Sequence, residues 1–118
     1  MKILIVDDNK GLRDILTIML SLEGFMVEEA GNGKEALDKI NVSKPDLILL
    51  DCNMPVMDGF EVYRRLKGNP KTKNIPIIFC SATSVENIRK IRVKGDTFIE
   101  KPFTIDELKR KMGQVHFS

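Results

Sequence analysis

The sequence of 118 residues is 42% hydrophobic and 31% charged, and its 19 basic and 17 acidic side chains leave a net charge of +2. It has no apolar run of about 18 residues, which excludes a membrane-spanning helix, and no N-terminal apolar run of about 7 residues, which excludes a signal peptide. Its two cysteines form no CxxC pair, which excludes a cysteine-rich zinc site. We therefore expect one cytoplasmic domain over residues 1–118, with no membrane contact.

The first half of the chain alternates apolar segments with helical patterns. Lys2–Val6 is short, apolar and β-branched, as expected of a buried strand. A helix follows and ends before Gly24, because apolar side chains recur there at a spacing of about 3.6 residues. These apolar positions are Leu12, Ile15, Leu16, Met19 and Leu20. Met26–Ala30 is the second predicted strand, and Asn32 with Glu35 predicts a capping box at the start of a second helix.

The second half continues the alternation. The predicted strands there are Leu47–Leu50, Ile75–Cys80 and Thr97–Glu100. The predicted helices are Gly59–Lys67 and two that begin at the capping-box patterns Thr83–Glu86 and Thr104–Glu107. Five strands alternating with helices predict an α/β fold, in which right-handed crossovers cover both faces of a parallel sheet. An open doubly wound sheet suits the length, since a closed eight-stranded barrel needs about twice as many residues.

Polar side chains follow four of the five predicted strands. They are Asp7 and Asp8 after the first strand, Asp51 after the third, Ser81 after the fourth and Lys101 after the fifth. Because an open parallel sheet binds ligands outside the carboxyl ends of its strands, we expect these side chains to share one cleft. Three carboxylates at short range cannot all stay ionised unaided. Hard oxygen ligands of this kind suit Mg²⁺, with Mn²⁺ as an alternative.

The first acidic pair is open to two other interpretations. Asp7 and Asp8 alone could be an acidic pair at a helix N-terminus, with Asp8 or Asn9 as the N-cap. A magnesium-dependent phosphatase that uses an aspartate after its first strand would need a second carboxylate two residues later, where Asn9 stands. The glycine-rich loop of a dinucleotide-binding fold is also missing after this strand. The matching positions of Asp51 and Lys101 favour a cation site instead.

These segments together resemble those of response-regulator receiver domains, in particular single-domain regulators of the chemotaxis kind. The likeness covers essentially the whole chain. It consists of Asp7-Asp8, the segment DCNMPVMDG at 51–59, the pair Ser81-Ala82 and the triplet Lys101-Pro102-Phe103. The expected fold is then a flavodoxin-like (βα)5 unit, with five parallel strands in the order 2-1-3-4-5.

The resemblance implies a metal site and a phosphoacceptor. Asp51 would accept the phosphoryl group. Asp8, Asp51 and the backbone carbonyl of Asn53 would bind Mg²⁺ directly, and Asp7 would act through water. Lys101 would contact a phosphoryl oxygen or Asp51 itself, because phosphoryl transfer needs positive charge on the equatorial oxygens.

The resemblance also implies a switch and partners. Ser81 takes the place of the switch hydroxyl, and Phe98 that of the switch aromatic residue. The expected partners are a sensor histidine kinase or phosphotransfer protein and a downstream protein target, with no direct nucleic-acid binding by this domain. The domain would be a signalling protein with its own phosphorylation and dephosphorylation chemistry rather than an enzyme. The alternatives are a degenerate receiver that binds partners without phosphorylation, and the receiver part of a DNA-binding transcriptional regulator.

Overall fold

A computed structural model describes residues 1–52, 54, 57–81 and 97–114 of the chain. Its strands form one parallel sheet in the order β2-β1-β3-β4-β5, which confirms the predicted open, doubly wound α/β architecture. The strands are β1 (Lys2–Val6), β2 (Met26–Ala30), β3 (Leu47–Asp51), β4 (Ile77–Ser81) and β5 (Thr97–Glu100). The helices of the described ranges are α1 (Lys10–Leu22), α2 (Gly33–Val42), α3 (Gly59–Lys67) and α4 (Ile105–Met112). Within those ranges, no helix combines the length and the apolar character that crossing a bilayer requires.

The third and fourth strands differ slightly from their predicted bounds. β3 includes Asp51, which lies opposite Cys80 of β4. β4 begins at Ile77 rather than Ile75, because Pro76 has no amide hydrogen to donate to the sheet. The carbonyl of Pro76 still accepts a hydrogen bond from the amide of Ile48, at 3.1 Å. The helix predicted to begin at 83 lies outside the described residues.

The alternating side chains of the strands build two core layers, one on each face of the sheet. One layer packs strand residues such as Leu4, Leu50 and Phe79 against α2 and α3. The other packs residues such as Ile5 and Leu49 against α1 and α4. All five residues of β3 are buried, since β3 is the central strand and is covered on both faces. The sheet edge that carries the functional residues is therefore held by a core on either side.

The first helix buries a narrower stripe than its sequence pattern predicts. Leu16 and Leu20 are buried against the sheet, whereas Ile15 is 57% exposed. Successive residues of an α-helix are rotated by about 100°, so Ile15 points well away from the direction of Leu16. Periodicity alone did not show how wide the contact between this helix and the sheet would be.

Each described helix begins at a residue whose side chain accepts a backbone hydrogen bond. The N-caps are Asn9, Asn32, Asp58 and Thr104. The capping box predicted at Asn32 is only half formed. Asn32 accepts from the amide of Glu35 at 2.8 Å, but Glu35 accepts from the amide of Gly31 rather than from Asn32. This contact lowers the pKa of Glu35.

The capping box predicted at Thr104 is complete. The Thr104 hydroxyl accepts from the amide of Glu107 at 3.1 Å, and the Glu107 carboxylate accepts from the amide of Thr104 at 3.3 Å. Thr104→Ala should lower the free energy of unfolding by about 1 kcal/mol, measured by urea denaturation. Thr104→Ser keeps the hydroxyl and should retain most of that stability. Equal stability of the two variants would contradict the capping role.

Candidate functional site

Three carboxylates meet at the carboxyl end of the sheet. β1 and β3 are neighbours with Val6 opposite Leu50, so Asp7 and Asp51 lie side by side where the strands end. Asp7, Asp8 and Asp51 each place an oxygen within 4.8 Å of the others. Asp7 and Asp51 are buried, with 4% and 6% of their surface exposed, whereas Asp8 is exposed. The cluster therefore has a buried floor and one carboxylate open to solvent.

Lys101 lies against this cluster from the turn after β5. Its Nζ is 2.7 Å from Oδ2 of Asp7 and 3.6 Å from Oδ1 of Asp51. Burial disfavours the charged form of Lys101, but the hydrogen bond to Asp7 and the charges of Asp51 and Asp7 outweigh it. The pKa of Lys101 is therefore raised above its ordinary value. The ammonium therefore stays positively charged at neutral pH. The peptide bond between Lys101 and Pro102 is cis.

The carboxylate, the amide and the carbonyl of Asp7 all form hydrogen bonds. Its Oδ1 accepts from the amide of Asn9 at 2.9 Å, and its Oδ2 accepts from Lys101. Its own amide donates to the carbonyl of Ala30 at 3.1 Å, and its carbonyl accepts from Nη1 of Arg13 at 2.6 Å. The side chain of Asn9 in turn accepts from an amide of the first turn of α1. The loop between β1 and α1 is thus fixed by both side-chain and backbone hydrogen bonds.

Gly59 lies so close to the backbone of Asp51 that its position must be occupied by glycine. The amide of Gly59 donates to the carbonyl of Cys52 at 3.1 Å. A Cβ atom at Gly59 would lie 2.1 Å from the carbonyl oxygen of Asp51, far inside van der Waals contact. Asp58 accepts from the amide of Glu61 at 2.9 Å and caps α3, a structural role. The close packing of Gly59 supports the backbone that carries Asp51.

The donor set of the cluster suits a small divalent cation. Among the residues that the structure describes, three carboxylates face one ammonium, so this group carries an excess of negative charge when all are ionised. Mg²⁺ prefers a few carboxylate oxygens and keeps several waters, which the exposed side of Asp8 allows. Mn²⁺ accepts the same hard oxygen ligands. The residues present therefore fit the predicted magnesium site.

The remaining predicted site residues are only partly described. Ser81 ends β4 with its backbone in the sheet, at the same edge as Asp51. Its side chain, and Asn53 as a whole, lie outside what the structure describes. Phe98 lies in β5 opposite Phe79 and is partly buried against the core layer under α2 and α3. The structure thus brings together Asp7, Asp8, Asp51 and Lys101.

Sequence reasoning missed Arg13. Arg13 lies on α1 and reaches both the carbonyl of Asp7 and the carboxylate of Glu29 on β2. A basic residue one turn after the helix N-cap, opposite an acidic strand, was the available signal. Cys52 and Cys80 are buried, are not joined in a disulfide and pack in opposite core layers, so they lie on opposite faces of the sheet. Burial raises the pKa of the Cys80 thiol, which makes it a poor nucleophile.

Comparison with known proteins gives the family. A family model described as the response regulator receiver domain matches residues 3–112. The chain belongs to this family. It is 37% identical to the response regulator MprA of Mycobacterium tuberculosis over 111 residues, which are 94% of this chain and 48% of that protein. The receiver therefore spans about half the length of the curated relatives it matches.

Solved structures of receiver domains share the fold closely. The chemotaxis protein CheY4 of Vibrio cholerae superposes with a TM-score of 0.90 at 33% identity, over 98% of both chains. The response regulator TrrA of Thermotoga maritima, solved in complex with Mg²⁺ and BeF, superposes with a TM-score of 0.83 at 35% identity, over 95% of this chain and 96% of that one. The chain is thus the receiver domain of a two-component response regulator.

Proposed function

We propose that this receiver accepts a phosphoryl group on Asp51 from a phosphohistidine of a sensor histidine kinase or phosphotransfer protein. The proposal is carried by one observation, the cluster of Asp7, Asp8 and Asp51 with Nζ of Lys101 3.6 Å from the Asp51 carboxylate. Asp8, Asp51 and the carbonyl of Asn53 would hold Mg²⁺, with Asp7 acting through water. Receiver membership and the Mg²⁺ and BeF bound to TrrA support this assignment.

The transfer is a displacement at phosphorus. An oxygen of the Asp51 carboxylate forms a bond to phosphorus while the bond between phosphorus and the donor imidazole nitrogen breaks. The nitrogen keeps the electron pair and takes a proton from solvent. Lys101 places its positive charge beside the acceptor, where negative charge spreads over the phosphoryl oxygens in the transition state. Bound Mg²⁺ would supply further positive charge to the same oxygens.

Return to the resting state uses water. A water oxygen attacks phosphorus, the bond to the Asp51 oxygen breaks, and inorganic phosphate leaves. The chain then regains the unphosphorylated Asp51 carboxylate beside Lys101. In this proposal the domain passes through a phosphorylated state and reverts by itself, so it acts as a signalling switch rather than as an enzyme with an outside substrate.

The readout assigned to this switch uses Ser81 and Phe98. The new phosphoryl group would attract the Ser81 hydroxyl at the end of β4, and Phe98 on β5 would move into the space released. Because both strands lie at one side of the sheet, the surface formed by β5 and α4 would change for a protein partner. Two forms of output fit the comparisons. Relatives of about twice the length favour output through a further domain of the same protein. The superposing chemotaxis protein of equal length favours output through a separate target protein.

Intact-mass measurement after incubation with acetyl phosphate tests the proposal. The wild-type chain should gain one phosphoryl group in the presence of Mg²⁺ and none when the metal is chelated. Asp51→Asn should gain none under either condition, because an amide cannot form the acyl phosphate. Asp58→Asn is the matched control, because it makes the same substitution at the N-cap of α3 and so removes the same charge. This variant should be phosphorylated as the wild type is.

Three outcomes would count against this assignment. A gain of mass that persists in Asp51→Asn would mean that another side chain is the acceptor. A folded wild type that binds Mg²⁺ but gains no mass would favour a degenerate receiver that acts by binding alone. Phosphorylation that does not depend on Mg²⁺ would remove the metal from the proposed chemistry.

A further inference from the structure

Arg13 links the acidic loop to the edge strand of the sheet. Its Nη1 donates to the carbonyl of Asp7 at 2.6 Å, and its Nε lies 3.2 Å from Oε1 of Glu29. The two side chains are only 15% and 29% exposed. A guanidinium presents several donors in one rigid plane, so it can hold two acceptors at fixed angles, which a lysine cannot. Arg13 therefore ties the peptide between Asp7 and Asp8 to β2.

That peptide decides where Asp8 points. Among the described residues, no group donates a hydrogen bond to the carboxylate of Asp8, and the residue is exposed. The direction of its Cα–Cβ bond, and so the region that its carboxylate can reach, is therefore set by the backbone on its two sides. On one side Arg13 holds the carbonyl of Asp7, and on the other Asn9 is fixed as the cap of α1.

We propose that Arg13 is a positioning residue that aims Asp8 into the acidic cluster and so strengthens the binding of Mg²⁺ there. The inference rests on the proposed magnesium site, but not on phosphorylation of Asp51. The charge of Arg13 is paired with that of Glu29, so its direct electrostatic effect on the cluster is reduced. Arg13 acts through the geometry of one peptide group.

An electrostatic role and a positioning role of Arg13 predict opposite changes in Mg²⁺ affinity when Arg13 is removed. If Arg13 acted only as a nearby positive charge, its removal would make the cluster more negative and Mg²⁺ would bind more tightly. If Arg13 holds the Asp7 carbonyl, its removal frees Asp8 to point elsewhere and Mg²⁺ binds more weakly. Loss of a residue that orients a metal ligand typically weakens metal binding about 10–100-fold.

Calorimetric titration with Mg²⁺ alone tests the inference. Arg13→Ala should raise the dissociation constant for Mg²⁺ about 10-fold or more. Arg13→Lys keeps the charge but cannot span both acceptors, and should recover only part of the affinity. Glu29→Gln keeps an oxygen that can accept from Nε and should weaken binding less than Arg13→Ala. Lys10→Ala is the matched control, since it removes an exposed cation of the same helix and should leave the constant within about twofold.

Stability and phosphorylation separate positioning from simple damage to the fold. The free energy of unfolding without Mg²⁺ should be measured for each variant. If Arg13→Ala fails to fold, Arg13→Lys and Glu29→Gln still test the inference, because each should bind Mg²⁺ more weakly than the wild type. With acetyl phosphate, the Mg²⁺ concentration for half-maximal rate should rise in step with the dissociation constant, while the rate at saturating Mg²⁺ stays near that of the wild type.

The outcomes distinguish this inference from the proposed function. Unchanged or tighter Mg²⁺ binding by the folded Arg13 variants overturns the positioning role, whatever happens to phosphorylation. Weaker binding in a chain whose wild type is never phosphorylated supports the positioning role and overturns only the phosphoacceptor. A wild type that binds no Mg²⁺ in the calorimeter overturns both.

Discussion

Gly59→Ala should destabilise the protein by at least about 3 kcal/mol, because overpacking at a site that cannot relax reaches or exceeds that cost. The new Cβ atom would lie 2.1 Å from the carbonyl oxygen of Asp51 and 3.0 Å from Cα of Cys52, both of them backbone atoms of the central strand or the residue after it. Neither can move away as a flexible side chain would. Urea denaturation of the variant should show the loss directly, as a large share of a total stability of about 5–15 kcal/mol.

A matched glycine in the first turn of another helix provides the control. Gly11 of α1 is exposed, and its Cβ would meet only the Asn9 side chain, at 3.4 Å. Gly11→Ala should therefore be neutral or stabilise the helix by about 0.5–1 kcal/mol. Because the Gly59 clash bears on the backbone of Asp51, folded Gly59→Ala should also be phosphorylated more slowly than Gly11→Ala. Wild-type stability of Gly59→Ala would contradict the observed close contact between Gly59 and the backbone of Asp51.

The sheet and its acidic cluster could be predicted from the sequence because both follow from general rules of parallel strands. Short apolar segments alternating with helical patterns specify the strand count, and the carboxyl ends of parallel strands share one edge. Asp7 and Lys101 each follow a strand and Asp51 is the last residue of one, so their meeting needed no knowledge of side-chain packing. The bounds of β4 shifted for a reason also visible in the sequence, the missing amide hydrogen of Pro76.

The hydrogen bonds that fix the site could not be predicted, because they depend on distances between elements. Either Asp8 or Asn9 could have capped α1, and in the structure the cap is Asn9. The Asp7 carboxylate accepts a hydrogen bond from the amide of Asn9, which holds Asn9 in that position. Arg13 looked like one more polar residue of an amphipathic helix. Only the placement of α1 against β2 brings it to both Glu29 and the carbonyl of Asp7. The clash that makes glycine necessary at position 59 likewise depends on how closely the start of α3 approaches the end of β3.

Lys101→Met should change metal binding and phosphorylation in opposite directions. The ammonium lies 2.7 Å from Asp7 and 3.6 Å from Asp51, so it neutralises the carboxylates to which Mg²⁺ would bind. An ion pair at about 4 Å contributes about 1–4 kcal/mol between bulk water and a protein surface, so its removal should tighten Mg²⁺ binding about tenfold. Removal of one preorganised positive contact to a transition state typically costs about 100-fold or more in rate, so phosphorylation by acetyl phosphate should slow by about that factor.

The pH dependence of this effect follows from the pKa of Lys101, which is raised. A raised folded-state pKa means that the stabilising contact of the ammonium is complete below its ordinary pKa of about 10.4 and is lost only as the pH rises above that value. The difference in Mg²⁺ affinity between wild type and Lys101→Met should therefore be constant from about pH 6 to pH 9.

Lys109→Met removes an exposed cation of α4 that is paired with Glu23, and should leave both Mg²⁺ binding and phosphorylation unchanged. Weaker Mg²⁺ binding in Lys101→Met would mean that the lysine organises the carboxylates rather than competing for them, and that its removal lets the cluster spread apart.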